Sequence, residues 1–106
     1  VSAFLVAAVI TLYAQAYDVP TDYALCIAQA ESSLDTHAVN GEYVGPWQWG
    51  IPFWEEMRAE MGRDPDPDLR YDLRESTQTA MYAFRRGFQY KWSTDCLCGG
   101  IYAEYR

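Results

Sequence analysis

Glu31 is the residue whose setting most suggests chemistry. It closes an apolar run, Ala24-Leu25-Cys26-Ile27-Ala28-Gln29-Ala30, and a stretch rich in glycine and aromatic residues follows it. A carboxyl that projects from such a helix end into an apolar cleft loses hydration, which penalises its anion. Such a setting favours the neutral acid, the form that can donate a proton. Cleavage of a glycosidic bond needs such a donor, because an alkoxide leaves only when protonated. A lone Glu at a helix end is usually just solvated, so its neighbours have to carry the case.

The elements around Glu31 read as helices. Phe4, Leu5, Ala8, Val9 and Leu12 follow helical spacing, which predicts a first, packing helix to about Tyr17 before Asp18-Val19-Pro20 breaks it. Thr21 is placed to cap a second helix, with Asp22 favourable in its first turn, running to Glu31-Ser32-Ser33. From Leu34 to Ile51 the periodicity vanishes. Gly41, Gly45, Pro46 and Gly50 mark turns among Tyr43, Val44, Trp47 and Trp49, so a long loop or short hairpin is expected. Loops of this length inside compact domains are usually functional.

Pro52 suits the first turn of a third helix, from Phe53-Trp54 to Met61 and closed by Gly62. Residues 63–68 read as a solvated connection. Asp72 with Glu75 resembles a capping box, opening a fourth helix to about Tyr90 whose face holds Leu73, Thr77, Ala80, Met81, Phe84 and Phe88. Ser93 is placed to cap a last helix ending near Tyr105. No segment has a convincing strand period, and the expected fold is mainly α in a single domain over residues 1–106.

The order Glu31-Ser32, Asp35-Thr36-His37-Ala38-Val39-Asn40, then Gly45-Pro46-Trp47-Gln48-Trp49 resembles the soluble lytic transglycosylase family. There a helix ends in Glu-Ser, a loop carries an Ala-Val-Asn/Ser-like segment, and Gly-Leu-Met-Gln-aliphatic follows. Pro46-Trp47 replaces Leu-Met here, and Trp49 replaces the aliphatic residue. Gly41-Glu42-Tyr43-Val44-Gly45 is also similar to a segment of resuscitation-promoting factors. Both families belong to the lysozyme superfamily. The likeness is good from about Tyr17 to Trp54 and loose from Leu69 to Trp92.

This resemblance implies a lysozyme-like helical domain that cleaves the β-1,4 bond between MurNAc and GlcNAc in peptidoglycan. Glu31 would be general acid and then base. Gln48 would bind sugar N-acetyl or hydroxyl groups or else brace the loop, and Ser32 would orient Glu31, touch substrate or cap the helix end. Trp47, Trp49 and Tyr43 would form stacking subsites, with one of the two Trp in the core. The family's terminal Ala-Tyr-Asn-x-Gly, whose Tyr faces the catalytic Glu, is replaced by Cys96-Leu97-Cys98-Gly99-Gly100-Ile101-Tyr102, leaving Tyr102 or Tyr105 as substitutes. His37 reads as an exposed loop residue.

A hydrolase often needs a second carboxylate across the cleft, whereas a lytic transglycosylase needs one Glu. Asp35 and Glu42 are the candidates, with solvated roles favoured for both, so the lytic reaction forming 1,6-anhydro ends is preferred narrowly over a muramidase-type hydrolysis. An inactive lysozyme-like module serving a phage tail or secretion assembly is the alternative from another class.

Composition bounds these expectations. A formal charge of −7 with no basic cluster longer than Arg85-Arg86 disfavours nucleic acid as a partner. The same acidity opposes long-range attraction to an anionic cell wall. The abundant Trp and Tyr suit a sugar groove as well as a core. Three cysteines make no complete disulfide framework, and with one His they fit no familiar zinc spacing, so no metal or cofactor is expected. Cys26 reads as a small buried hydrophobe, with a bridge to Cys96 or Cys98 as the alternative in an oxidising compartment. Ala14-Gln15-Ala16 resembles a signal-peptidase site but lacks a positive flank, and the uncharged stretch before it is shorter than the ~20 residues a bilayer needs. A chain beginning at Val1 suggests a processed chain or a domain of a larger cell-wall or virion protein, in an extracytoplasmic place.

Overall fold

The computed structural model describes residues 1–100. The chain is mainly helical. Helices α1 (Ala3–Ala16), α2 (Thr21–Ser32), α3 (Ile51–Met61) and α4 (Leu73–Arg85) surround a small hairpin of β1 (Val39–Asn40) and β2 (Tyr43–Val44). Three 3-10 segments, Pro67–Tyr71, Gln89–Lys91 and Ser93–Cys98, complete it.

Ser2 starts α1 by accepting from the Leu5 N–H at 3.1 Å. The buried stripe of α1 is Val6, Ile10 and Ala14, while Phe4, Leu5 and Leu12 are exposed. The helix therefore packs on a different face from the one its periodicity suggested. An apolar residue stands at almost every position of α1, so spacing offers no contrast between faces.

Helix α2 starts one residue earlier than expected. Pro20 is the cap residue, without a side-chain bond, and Thr21 is already helical. Its end is sharp because Ser33 and Leu34 both take left-handed backbone, φ 54° and 62°. That reversal turns the chain into the hairpin, where Val39 pairs with Val44 and Asn40 with Tyr43. Gly41 supplies the left-handed backbone the tight turn requires, at φ 62°. Of the two expectations for residues 34–51, the hairpin is the one observed.

Pro52 stands in the first turn of α3 and Gly62 ends it at φ 67°. Residues 63–68 beyond it are largely exposed, as expected, and burial begins just after them. Arg70 is buried and donates to the carbonyls of Pro67, Trp49 and Glu42 at 2.7, 3.0 and 3.3 Å. Gly45 packs so tightly there that a Cβ would lie 2.0 Å from the Arg70 carbonyl oxygen. Asp72 caps α4 by accepting from the Arg74 and Glu75 N–H groups. Glu75 does not complete a capping box, because its carboxylate pairs with the buried Arg58 at 2.7 Å. Helix α4 stops at Arg85 with Gly87 at φ 85°, short of the predicted Tyr90. Ser93 opens a 3-10 segment with no side-chain cap instead of capping a final helix.

The core is a continuous aromatic and aliphatic cluster containing Trp47, Trp49, Trp54, Phe84 and Trp92. Edge-on contacts organise it, with Trp49 5.3 Å from both Trp54 and Trp92 between ring centres. A disulfide joins Cys26 on α2 to Cys98, which resolves the alternatives for Cys26, and Cys96 remains a free, exposed thiol. No helix among the described residues is long and apolar enough to cross a membrane.

Candidate functional site

The end of α2, the hairpin, the start of α3 and residues 91–93 enclose an open cleft of about 620 Å³. Glu31, Glu42, Tyr43, Gln48, Trp49 and Lys91 lie along its lining, with Asn40, Phe53, Trp92 and Ser93. Glu31 is half-buried there. Its carboxylate Oε2 accepts a 2.7 Å hydrogen bond from the Thr94 hydroxyl. A half-buried carboxyl with one oxygen fixed by a hydroxyl, on the wall of an aromatic cleft, is equipped to hand a proton to a bound ligand and take one back.

The segment carrying Thr94 is tied to α2 in further places. The Cys26–Cys98 bridge joins them covalently, and Tyr23 on α2 donates its hydroxyl proton to Asp95 within the protein interior. Thr94 therefore approaches Glu31 from a braced backbone. Tyr102 and Tyr105, the expected partners of Glu31, lie outside the described residues.

The hairpin wall is held differently. Gln48 adopts left-handed backbone at φ 54°, which turns its side chain back onto the loop. Its Nε2 donates to the Gly45 and Ala38 carbonyls at 3.0 and 3.3 Å, and its Oε1 accepts from Asn40 at 2.9 Å. Of its two expected roles, bracing the loop is the one these bonds serve, while its edge still borders the cleft. Tyr43 is half exposed over Gly50, where a Cβ would come within 3.1 Å of the tyrosine ring. That ring offers the flat, accessible face that stacking on a sugar requires.

Other predicted contacts move away from the cleft. Trp47 is fully buried, does not line it, and donates its indole N–H to Thr77 at 2.9 Å. An indole in the core needs such a partner, and its role as a stacking subsite is withdrawn. Trp49 is also buried, donating to the Ser76 carbonyl, but it belongs to the cleft lining. Ser32 is buried behind the wall, with its hydroxyl directed at the Ala28 and Pro46 carbonyls at 3.1 and 2.8 Å. It ties α2 to the aromatic loop instead of touching Glu31 or a ligand. Asp35 accepts from the His37 N–H in the exposed turn and is not part of the cleft.

Lys91 in the cleft lining and Thr94, which bonds Glu31, are residues that no local sequence signal marked. Thr94 is 63 positions from Glu31, and only the bridge from Cys26 to Cys98 could have hinted at the approach. No group of His, Cys, Asp and Glu suited to a metal occurs among the described residues. Away from the cleft, the Arg86 guanidinium and the Tyr82 hydroxyl donate to Glu60 and hold its carboxyl below the ordinary range. No protein-family model matches the chain, and no curated protein or solved structure matches it.

Proposed function

We propose that the protein cleaves the β-1,4 bond between MurNAc and GlcNAc in peptidoglycan, with Glu31 as acid and then base, in a lysozyme-like domain. The observation that carries this proposal is the Glu31 carboxyl on the wall of an aromatic-lined cleft, held by Thr94 through one oxygen. In the lytic route, Glu31 gives its proton to the glycosidic oxygen while the substrate's own N-acetyl oxygen attacks C1. The resulting Glu31 carboxylate then takes the proton of the C6 hydroxyl, whose oxygen displaces the N-acetyl oxygen from C1 and closes the 1,6-anhydro end. Holding the Glu31 carboxyl beside the leaving oxygen supplies the positioning that general acid catalysis needs.

Hydrolysis is the second reading, favoured by one observation. Glu42, at the hairpin turn, lines the same cleft as Glu31 and offers a second carboxylate that could activate a water. Product masses from purified peptidoglycan separate the two reactions, because anhydro ends are lighter than reducing ends by one water. Anhydro products are expected. Intact glycan after prolonged incubation would leave the inactive-module alternative standing. The Cys26–Cys98 disulfide agrees with work in an oxidising, extracytoplasmic compartment.

A further inference from the structure

We infer that Lys91 recognises a carboxylate borne by the glycan, so that the cleft prefers acidic glycan to a neutral chain of equal length. The inference rests on the proposed glycan-cleaving function. Lys91 is the only lysine of the chain and the only Lys or Arg lining the cleft among the described residues. Its Nζ lies 5.3 Å from the Phe53 ring centre and 6.0 Å from that of Tyr90. Ring quadrupoles steady an ammonium without neutralising its charge.

Arg58, Arg63 and Arg86 each have a carboxylate within 4.0 Å; Lys91, like Arg70, Arg74 and Arg85, has none among the described residues, and of these four only Lys91 lines the cleft, in a chain with 15 Asp and Glu against 8 Lys and Arg. A cation left unpaired by so acidic a protein, on the rim of its cleft, is available to an anionic ligand. Its distance from the reaction is short. Three residues of chain span at most ~11 Å between Lys91 and Thr94, which bonds Glu31. A carboxylate held by Lys91 would therefore sit on a sugar close to the cleaved bond.

A lysine can also lie over rings merely to cover them with its stem. Lys91→Met keeps that cover and removes the charge, whereas Lys91→Arg keeps the charge. Calorimetric Kd values would be measured in proteins also carrying Glu31→Gln, which slows turnover. The probes are the peptide-free GlcNAc–MurNAc tetrasaccharide with free lactyl carboxylates, its methyl ester, and chitotetraose. The acid should bind about fivefold more tightly than its ester, as suits a partly exposed ion pair. That ratio should fall to near one in Lys91→Met, persist in Lys91→Arg, and shrink between about 0.01 M and 1 M salt as the Debye length drops from ~30 to ~3 Å. Binding of acid and ester with no difference, or with the same difference in Lys91→Met, would overturn the inference while leaving the proposed function intact. Failure of every glycan to bind would overturn both.

Discussion

The two walls of the cleft are built on opposite plans. The wall bearing Glu31 joins α2 to a distant 3-10 segment through a disulfide, the Tyr23–Asp95 bond and the Thr94 hydroxyl. The facing hairpin is held by polar groups packed against backbone, with Arg70 reaching the Trp49 and Glu42 carbonyls and Gln48 reaching those of Ala38 and Gly45. Beneath it lie Trp47 and Trp49, both buried. One wall depends on links across long stretches of chain, the other on satisfied carbonyls and aromatic packing. The difference predicts that redox state acts on the wall that carries the chemistry, whereas core truncation acts on the hairpin wall.

The largest effect is expected at the acid itself. Glu31→Gln should lower turnover of peptidoglycan by about 10²–10⁴-fold, since the amide cannot donate and recover the proton. Circular dichroism should show an unchanged helical fold. Near-normal turnover by the folded variant would remove Glu31 from the chemistry and leave this wall a structural one.

Trp47→Ala tests the hairpin wall from beneath. Loss of a buried indole from the core should cost ~3–5 kcal/mol of stability in denaturant unfolding. Stability within about 1 kcal/mol of the parent protein would contradict the core position of this ring. The change should lower stability more than it lowers glycan affinity per folded molecule, the reverse of a stacking subsite.

Reduction of Cys26–Cys98 acts on the opposite wall. The bridge closes a loop across 72 positions, and its removal should destabilise the protein by ~2–4 kcal/mol. Paired Cys26→Ser and Cys98→Ser substitutions should reproduce the loss in urea melts. Activity of the remaining folded fraction should fall as well, because Thr94 is held against Glu31 by the same segment. An equal loss of stability with unaltered turnover would show that the Thr94 approach survives without the bridge.

The smallest effect is expected from Thr94→Val, which keeps the shape and removes the donor. Losing one hydrogen bond to a charged group should lower kcat by about tenfold, corresponding to ~1.4 kcal/mol. KM should change little, and Thr94→Ser should restore most of the loss. Turnover equal to that of the parent protein would mean that the hydroxyl does not position Glu31.

Where local chemistry decides, the structure was legible in the residues. Gly62 stops α3, Asp72 caps α4, and Gly41 allows a tight hairpin, all for reasons internal to a few neighbouring residues. Glu31 at the end of an apolar helix could be singled out in the same way, since a helix and its end are short-range features. The buried face of α1 could not, because apolar residues surround that helix and only its partners choose among them.

The same division runs through the site. Sequence by itself determined that a carboxyl ends α2, that a turn-rich aromatic loop follows, and that Cys26 had two possible bridging partners. Tertiary structure alone decided that Cys98 takes the bridge, that Thr94 meets Glu31, and that Lys91 reaches the cleft. It also put Trp47 in the core, kept Trp49 in the cleft lining, and turned Ser32 to backbone carbonyls. Each of those outcomes depends on which groups from distant segments compete for one volume or one donor. Residue type and spacing constrain a few neighbouring turns of chain, whereas burial and hydrogen-bond satisfaction are settled only when the elements pack.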